Sequence, residues 1–339
     1  MGAVYALTRH HDHRYMARLP GSRRLDAILN AVVPLFAVIF AGFIAGKTRV
    51  LAEEWVRGLN VFVFTFAMPP MLFRLMATTD VTAIGEWSFV AGFFYSEVLV
   101  FTAGAVLGGL LFRQRFAEMT MQGFGSCFSN GVLLALPLLI GLFGEKGATP
   151  AVLLFTLDVL LFSIVTMMLE IARSGDRPGG GWRAVRQSLR AMLKNPILMS
   201  TLLGILWGIA GLPLPDLVDK SFGFIGQAGP PSALFALGAT LAYRRVTGSV
   251  GPAAMMVIFK LFIHPAVTFV ILAYVVGADP FWVQAAVIFA ACPVGANVYV
   301  FAQHYGISVT AASAGILAAT GLSLLTVTGL LILYPPIGV

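Results

Sequence analysis

The chain has 339 residues, 58% of them hydrophobic and 11% charged, with a formal net charge of +7. Its mean hydropathy is +0.89. A soluble domain carries about 25% charged residues, so this composition excludes a soluble fold and calls for an all-α polytopic membrane protein. The basic residues lie in short segments between apolar runs, which is the pattern of loops facing the cytoplasm rather than of a nucleic-acid surface.

In chain order, residues 1–26 form a polar, basic tail with five Arg. No apolar stretch precedes a cleavage site there, so the tail does not read as a signal peptide. His10, His11 and His13 fall in it and are read as part of an unstructured tail, with no metal site assigned. A spanning helix needs roughly 20 apolar residues. That ruler gives ten spans, near 27–46, 55–77, 87–112, 119–143, 149–171, 195–211, 221–243, 252–276, 281–303 and 308–334. Residues 27–172 and 195–339 then hold five spans each, separated by the basic segment 173–194. That segment opens on a Gly/Pro-rich linker. It continues with Trp182, Val185 and Leu189 on one helical face, which suits a helix in the headgroup layer as well as it suits a solvated loop.

The loops after the odd-numbered spans hold thirteen Lys and Arg, and those after the even-numbered ones three. The long basic loop is therefore expected in the cytoplasm and both termini outside, as in a bacterial-type inner membrane. The five Arg of the tail oppose its export, which raises the expectation that the true start lies downstream.

Five spans per half means that the second half enters the membrane from the opposite side, so any internal repeat is inverted. Span 2 reads AMPPMLFRLMA and span 7 reads AGPPSALFALGA; their double prolines, Pro69–Pro70 and Pro230–Pro231, are 161 residues apart. Span 4 reads SNGVLLALPLLIGLFG and span 9 reads CPVGANVYVFAQHYG. Asn130 and Asn297 are 167 apart, and Pro137 and Pro293 are 156 apart. Paired interruptions at matching places in two halves point to a transport site. Spans 4 and 9 are read as broken helices whose breaks meet near the bilayer midplane. Exposed backbone is tolerable there only if it faces a polar cavity or another break. Half-helix N-termini carry free N–H groups and partial positive charge, which suit an anion. Asn130, Gly131, Pro137, Pro293, Gly295 and Asn297 are the candidate substrate site. The bland alternative is that both Asn only satisfy broken backbone.

Glu97, Asp158, Lys260 and His264 lie well inside spans, and each is costly there unless it has a function. All four are candidates for proton or ion coupling. Lys260 is expected to snorkel to the interface, His264 to pack, and Asp158 to bond a neighbouring helix; a Glu97–Lys260 pair is open. Cys127 and Cys292 sit beside the two breaks and form no disulfide framework. If the breaks line water, a small thiol reagent should reach at least one of them.

The stretches QAGPPSALFALGATLA, KLFIHP and PVGANVYVFAQHYG, with LNVFVFTFAMPPMLF and KNPILMSTLLGILWG, resemble the auxin efflux carrier family over roughly residues 27–335. That family holds bacterial transporters, among them malonate carriers, and the plant PIN auxin exporters. The resemblance implies a 5+5 inverted repeat with a scaffold and a crossover domain, similar to sodium/proton antiporters and bile-acid symporters. It also implies organic-anion substrates and elevator-type movement. Carried over by position, Asn130 and Pro137 match the first crossover motif, and Pro293 and Asn297 the second. Val132 and Ala135 stand where the family commonly has glycines.

No phosphate-binding loop, His-Glu-x-x-His run, paired-Cys motif or Gly-x-Ser-x-Gly elbow occurs, so no cofactor is assigned. The reading is a secondary transporter of small organic anions such as dicarboxylates. Its expected partners are the substrate, membrane lipids and a proton or sodium ion, with a homodimer left open. A membrane-embedded enzyme built on Glu97, Asp158 and His264, or a passive anion channel, are the alternatives.

Overall fold

The computed structural model of the protein describes residues 21–78, 87–174, 196–243 and 250–336, with positions 186, 193 and 194 besides. The expected interfacial helix within 173–194 lies for the most part outside them, as do residues 1–20 of the basic tail. The described secondary structure is helical apart from one isolated bridge. Among the described residues, five helical stretches are long and apolar enough to cross a membrane: Glu53–Thr78, Ser88–Phe112, Gly131–Arg173, Val250–Val276 and Val309–Leu333. The chain is therefore a polytopic membrane protein.

The helices are α1 (Gly21–Lys47), α2 (Glu53–Thr78), α3 (Trp87–Phe112), α4 (Phe116–Cys127) and α5 (Leu136–Phe143). They continue as α6 (Ala148–Ser174), α7 (Pro196–Ile209), α8 (Asp216–Gly226) and α9 (Gly229–Ala242). The last are α10 (Val250–Val276), α11 (Pro280–Ala291), α12 (Asn297–Tyr305) and α13 (Val309–Leu333). The run from Gly131 to Arg173 bends at Gly144, whose φ of +65° suits glycine, and α5 and α6 pack on each other beyond the bend.

Prolines shape these helices in three ways. Some are absorbed by a π turn. The π turns Phe62–Ala67, Gly131–Ala135 and Phe259–Ile263 each end two residues before a proline, at Pro69, Pro137 and Pro265. Proline lacks the N–H for a regular bond and crowds the turn before it; a widened turn relieves both. Pro69 and Pro70 therefore distort α2 without interrupting it. Other prolines start helices: Pro230 and Pro231 lie in the first turn of α9, and Pro280 follows the Asp279 cap of α11. Pro213 and Pro215 lie in the connection between α7 and α8, and Pro293 lies in the non-helical gap between α11 and α12.

Packing falls into two groups. In one, α1 lies along α9, and α2 lies along α7 and α8. A Cβ on Gly238 would collide with the Ile39 carbonyl, and one on Gly42 with the Phe235 carbonyl, so the α1–α9 contact is made by backbones in near touch. In the other group, α3 packs on α4, α10 on α11 and α13, and α6 on α4 and α11. The fully buried Phe89, Phe93, Phe124 and Phe289 fill this second group.

Candidate functional site

Two breaks meet at the centre of the second group. Phe128 and Cys292 each adopt extended backbone at the end of a half-helix. Cys292 is pushed there by the proline that follows it. Ser129 and Val294 form an antiparallel bridge. The Asn130 N–H donates to the Pro293 carbonyl and the Gly295 N–H to the Phe128 carbonyl, both at 3.0 Å. The two interruptions thus satisfy each other's backbone, which unwound chain inside a bilayer requires. Contact is close enough to demand Gly295: a Cβ there would strike the Phe128 ring and lie 2.7 Å from the Ser129 carbonyl oxygen.

The last carbonyls of α11 are occupied as well. The Ile288 carbonyl takes the Cys292 thiol at 3.4 Å, the Phe289 carbonyl takes the Ser129 hydroxyl at 2.9 Å, and the Ala290 carbonyl takes the Lys260 ammonium. Helix C-termini leave these oxygens without intrahelical partners, so one hydroxyl and one cation from other elements complete this end.

Beside the crossing is a cavity of about 190 Å³, lined by Ser129, Asn130, Gly131, Val132 and Leu133 from one break and by Ala296 and Asn297 from the other. Phe64, Phe128, Phe155, Phe162 and Ile197 complete its wall. Asn130 Nδ2 is buried and has no hydrogen-bond partner. The side chain does not cap its own helix start. The bland reading, in which this amide serves the broken backbone, therefore fails for its donor. The structure brings Asn130, Gly131 and Asn297 to the cavity. Pro137, Pro293 and Gly295 lie in the backbone around it rather than on its wall. Pro230 and Pro231 line a different cavity of about 620 Å³, together with Arg74, Glu145 and Asp219. In that cavity Arg74 Nε bonds Asp219 at 2.6 Å, while Glu145 lies 4.0 Å from Arg74.

The four ionisable candidates also converge, away from the cavity wall. Glu97 on α3, Asp158 on α6, and Lys260 and His264 on α10 are all fully buried. The packing of α3 on α6 brings the two carboxyl groups within electrostatic reach of each other, and none of their four oxygens receives a donor. Lys260 does not snorkel, contrary to expectation. Its Nζ sits 3.2 Å from His264 Nδ1 and donates to the Ala290 carbonyl. It makes no ion pair with Glu97 or Asp158 within 4.0 Å. His264 Nε2 is buried without a partner. Cys127 and Cys292 are fully buried, so in this conformation neither faces water.

Sequence reasoning missed the aromatic wall. Phe128 and Phe162 pack with ring centroids 4.8 Å apart, and Phe162 stacks on Phe301 at 5.5 Å. A Phe in an apolar span is indistinguishable from a lipid-facing one, so no local signal marks them. Arg74 was legible only as a loop charge.

The family described as "Membrane transport protein" matches residues 27–178 and 181–331. A "Putative malonate transporter" of Rhizobium meliloti (strain 1021) is 31% identical, covering 90% of this chain and 95% of its own length. "Auxin efflux carrier component 8" of Arabidopsis thaliana is 21% identical over 86% of this chain and 92% of its own. An "Uncharacterized transporter" of Methanothermobacter thermautotrophicus is 25% identical over 69% and 74%. These are names of transporters rather than enzymes. With apolar spans, two broken helices and a match over nearly its whole length, the chain belongs to the membrane transport protein family that includes the auxin efflux carriers.

Proposed function

We propose that the protein is a secondary transporter of small organic anions, which bind at the crossing between the N-terminal starts of two half-helices. The observation that carries this is Asn130 Nδ2, a buried donor without a partner beside a cavity that Asn297 and both helix starts share. Oriented N–H groups and neutral amides attract a carboxylate without a fixed counter-charge, so the anion can also leave. The cavity, at about 190 Å³, is smaller than the roughly 300–1,000 Å³ of drug-sized sites. It suits an anion of a few carbons, such as a dicarboxylate.

Reciprocal packing supports the inverted repeat. Span 1 (α1) lies on the α9 part of span 7, and span 6 (α7) lies on span 2 (α2), as an exchange of halves demands. In this reading residues 27–172 and 195–339 are the two five-span halves, the group around α1, α2 and α7–α9 is the scaffold, and the crossing group moves against it as an elevator. The charge bias orients the 173–194 segment to the cytoplasm and both termini outward. Membrane potential or a proton on Glu97 or a neighbour drives the movement.

The test is uptake of radiolabelled malonate, the probe suggested by one relative's printed name, into proteoliposomes holding the parent, Asn130→Ala or Asn297→Ala. Saturable uptake and counterflow that fall in both variants support the reading. Variants that transport like the parent would sink the site.

A further inference from the structure

We infer that Glu97, Asp158, Lys260 and His264 form a proton site in which Lys260 stands where a metal cation would, so that transport is coupled to protons and not to sodium. The inference rests on the crossing being the transport site, and it names the coupling ion.

Three observations carry it. First, the four side chains come from three elements and are fully buried, and Lys260 among them reaches the break at the Ala290 carbonyl. Second, Glu97 and Asp158 are buried on helices that pack together, and no donor reaches any of their four oxygens. Two unpartnered carboxylates on neighbouring helices inside a low-dielectric core cannot both stay charged, so a proton is needed on the pair. Third, half-helix C-terminal carbonyls are where crossing helices hold a coupling cation. Here the Ala290 carbonyl at that end is taken by the Lys260 ammonium, whose other neighbour is His264 Nδ1. A tethered cation at that carbonyl leaves no role for a mobile one, and the exchangeable charge becomes the proton on the carboxyl pair. The titratable groups facing this pair from the packed elements are Lys260 on α10 and Cys127 at the end of α4, while His264 on α10 and Cys292 at the end of α11 adjoin Lys260. In each cycle one O–H bond forms from a proton of one compartment and breaks to release it to the other.

The experiment measures radiolabelled malonate in proteoliposomes with the membrane potential clamped by potassium and valinomycin. An inward acid gradient of about one pH unit should give about tenfold accumulation per coupled proton, and an inward sodium gradient at equal pH should give none. In Glu97→Gln the acid-driven accumulation disappears, and whatever exchange remains no longer varies with pH. Sodium-driven accumulation, or Glu97→Gln still concentrating malonate on an acid gradient, overturns the inference. Loss of the Asn130 and Asn297 effects with acid coupling intact would instead overturn only the binding site. A second measurement needs neither substrate nor variant transport. Infrared spectra of the purified protein near neutral pH should contain a protonated-carboxyl C=O band that Asp158→Asn removes. Its absence from the parent also overturns the inference.

Discussion

Replacing Asn130 by Ala removes a donor that no protein atom uses. Asn130 Nδ2 is buried and unpartnered, the residue is only 4% exposed, and its amide lies on the wall of the 190 Å³ cavity. Truncation therefore strands no protein acceptor of that N–H. The cost to the empty protein should stay below about 1 kcal/mol. A hydrogen bond to a charged ligand is worth about 1.5–3 kcal/mol, so binding of an anion should weaken by about ten- to 150-fold. The assay is the KM for labelled malonate in proteoliposomes, with thermal unfolding in detergent as the control. Asn130→Asp sharpens it, because the same shape with a negative charge should abolish uptake. A KM within about twofold of the parent, or a loss of several kcal/mol of stability with unchanged KM, would refute the argument.

Further outcomes follow from the packing. Gly295→Ala should cost about 1–3 kcal/mol, since the added Cβ meets the Phe128 ring and the Ser129 carbonyl; an unchanged melting temperature would mean that the crossing is looser than described. Gly238→Val should be worse, about 3 kcal/mol or more, because the α1 backbone at Ile39 has no room to yield; loss of monodisperse protein on size exclusion is the readout. Cys127 and Cys292 should react slowly with a small maleimide in the substrate-free protein, and rapid labelling of either would reveal a water path to the breaks. Arg74→Ala should cost no more than about 1 kcal/mol, because Arg74 and Asp219 are 34% and 33% exposed; a much larger thermal shift would show that the pair is less solvated than its exposure implies.

The interruptions at Asn130 and Pro293 were readable because a proline or amide in an apolar run is a local anomaly, and both breaks lie where those residues stand. The double proline at Pro69–Pro70 looked equivalent to the one at Pro230–Pro231 and behaves differently: a π turn absorbs the first, while a helix starts at the second. Local sequence does not settle that choice, since it depends on which neighbours pack against the turn. Lys260 misled for a related reason. A lysine in a span ordinarily reaches for the interface, and only the Ala290 carbonyl and His264, delivered by folding, give it a partner inside.

Composition, the apolar runs and their paired interruptions determined by themselves that this is a polytopic membrane protein with two interrupted helices, because hydrocarbon imposes length and backbone satisfaction on every segment separately. Which residues meet was decided by tertiary structure alone. Glu97 and Asp158 are 61 residues apart, and Phe64 and Ile197 are 133 apart. No periodicity reports such a meeting. The pairing of carboxyls and the walls of the cavity exist only once helices distant in the chain have packed.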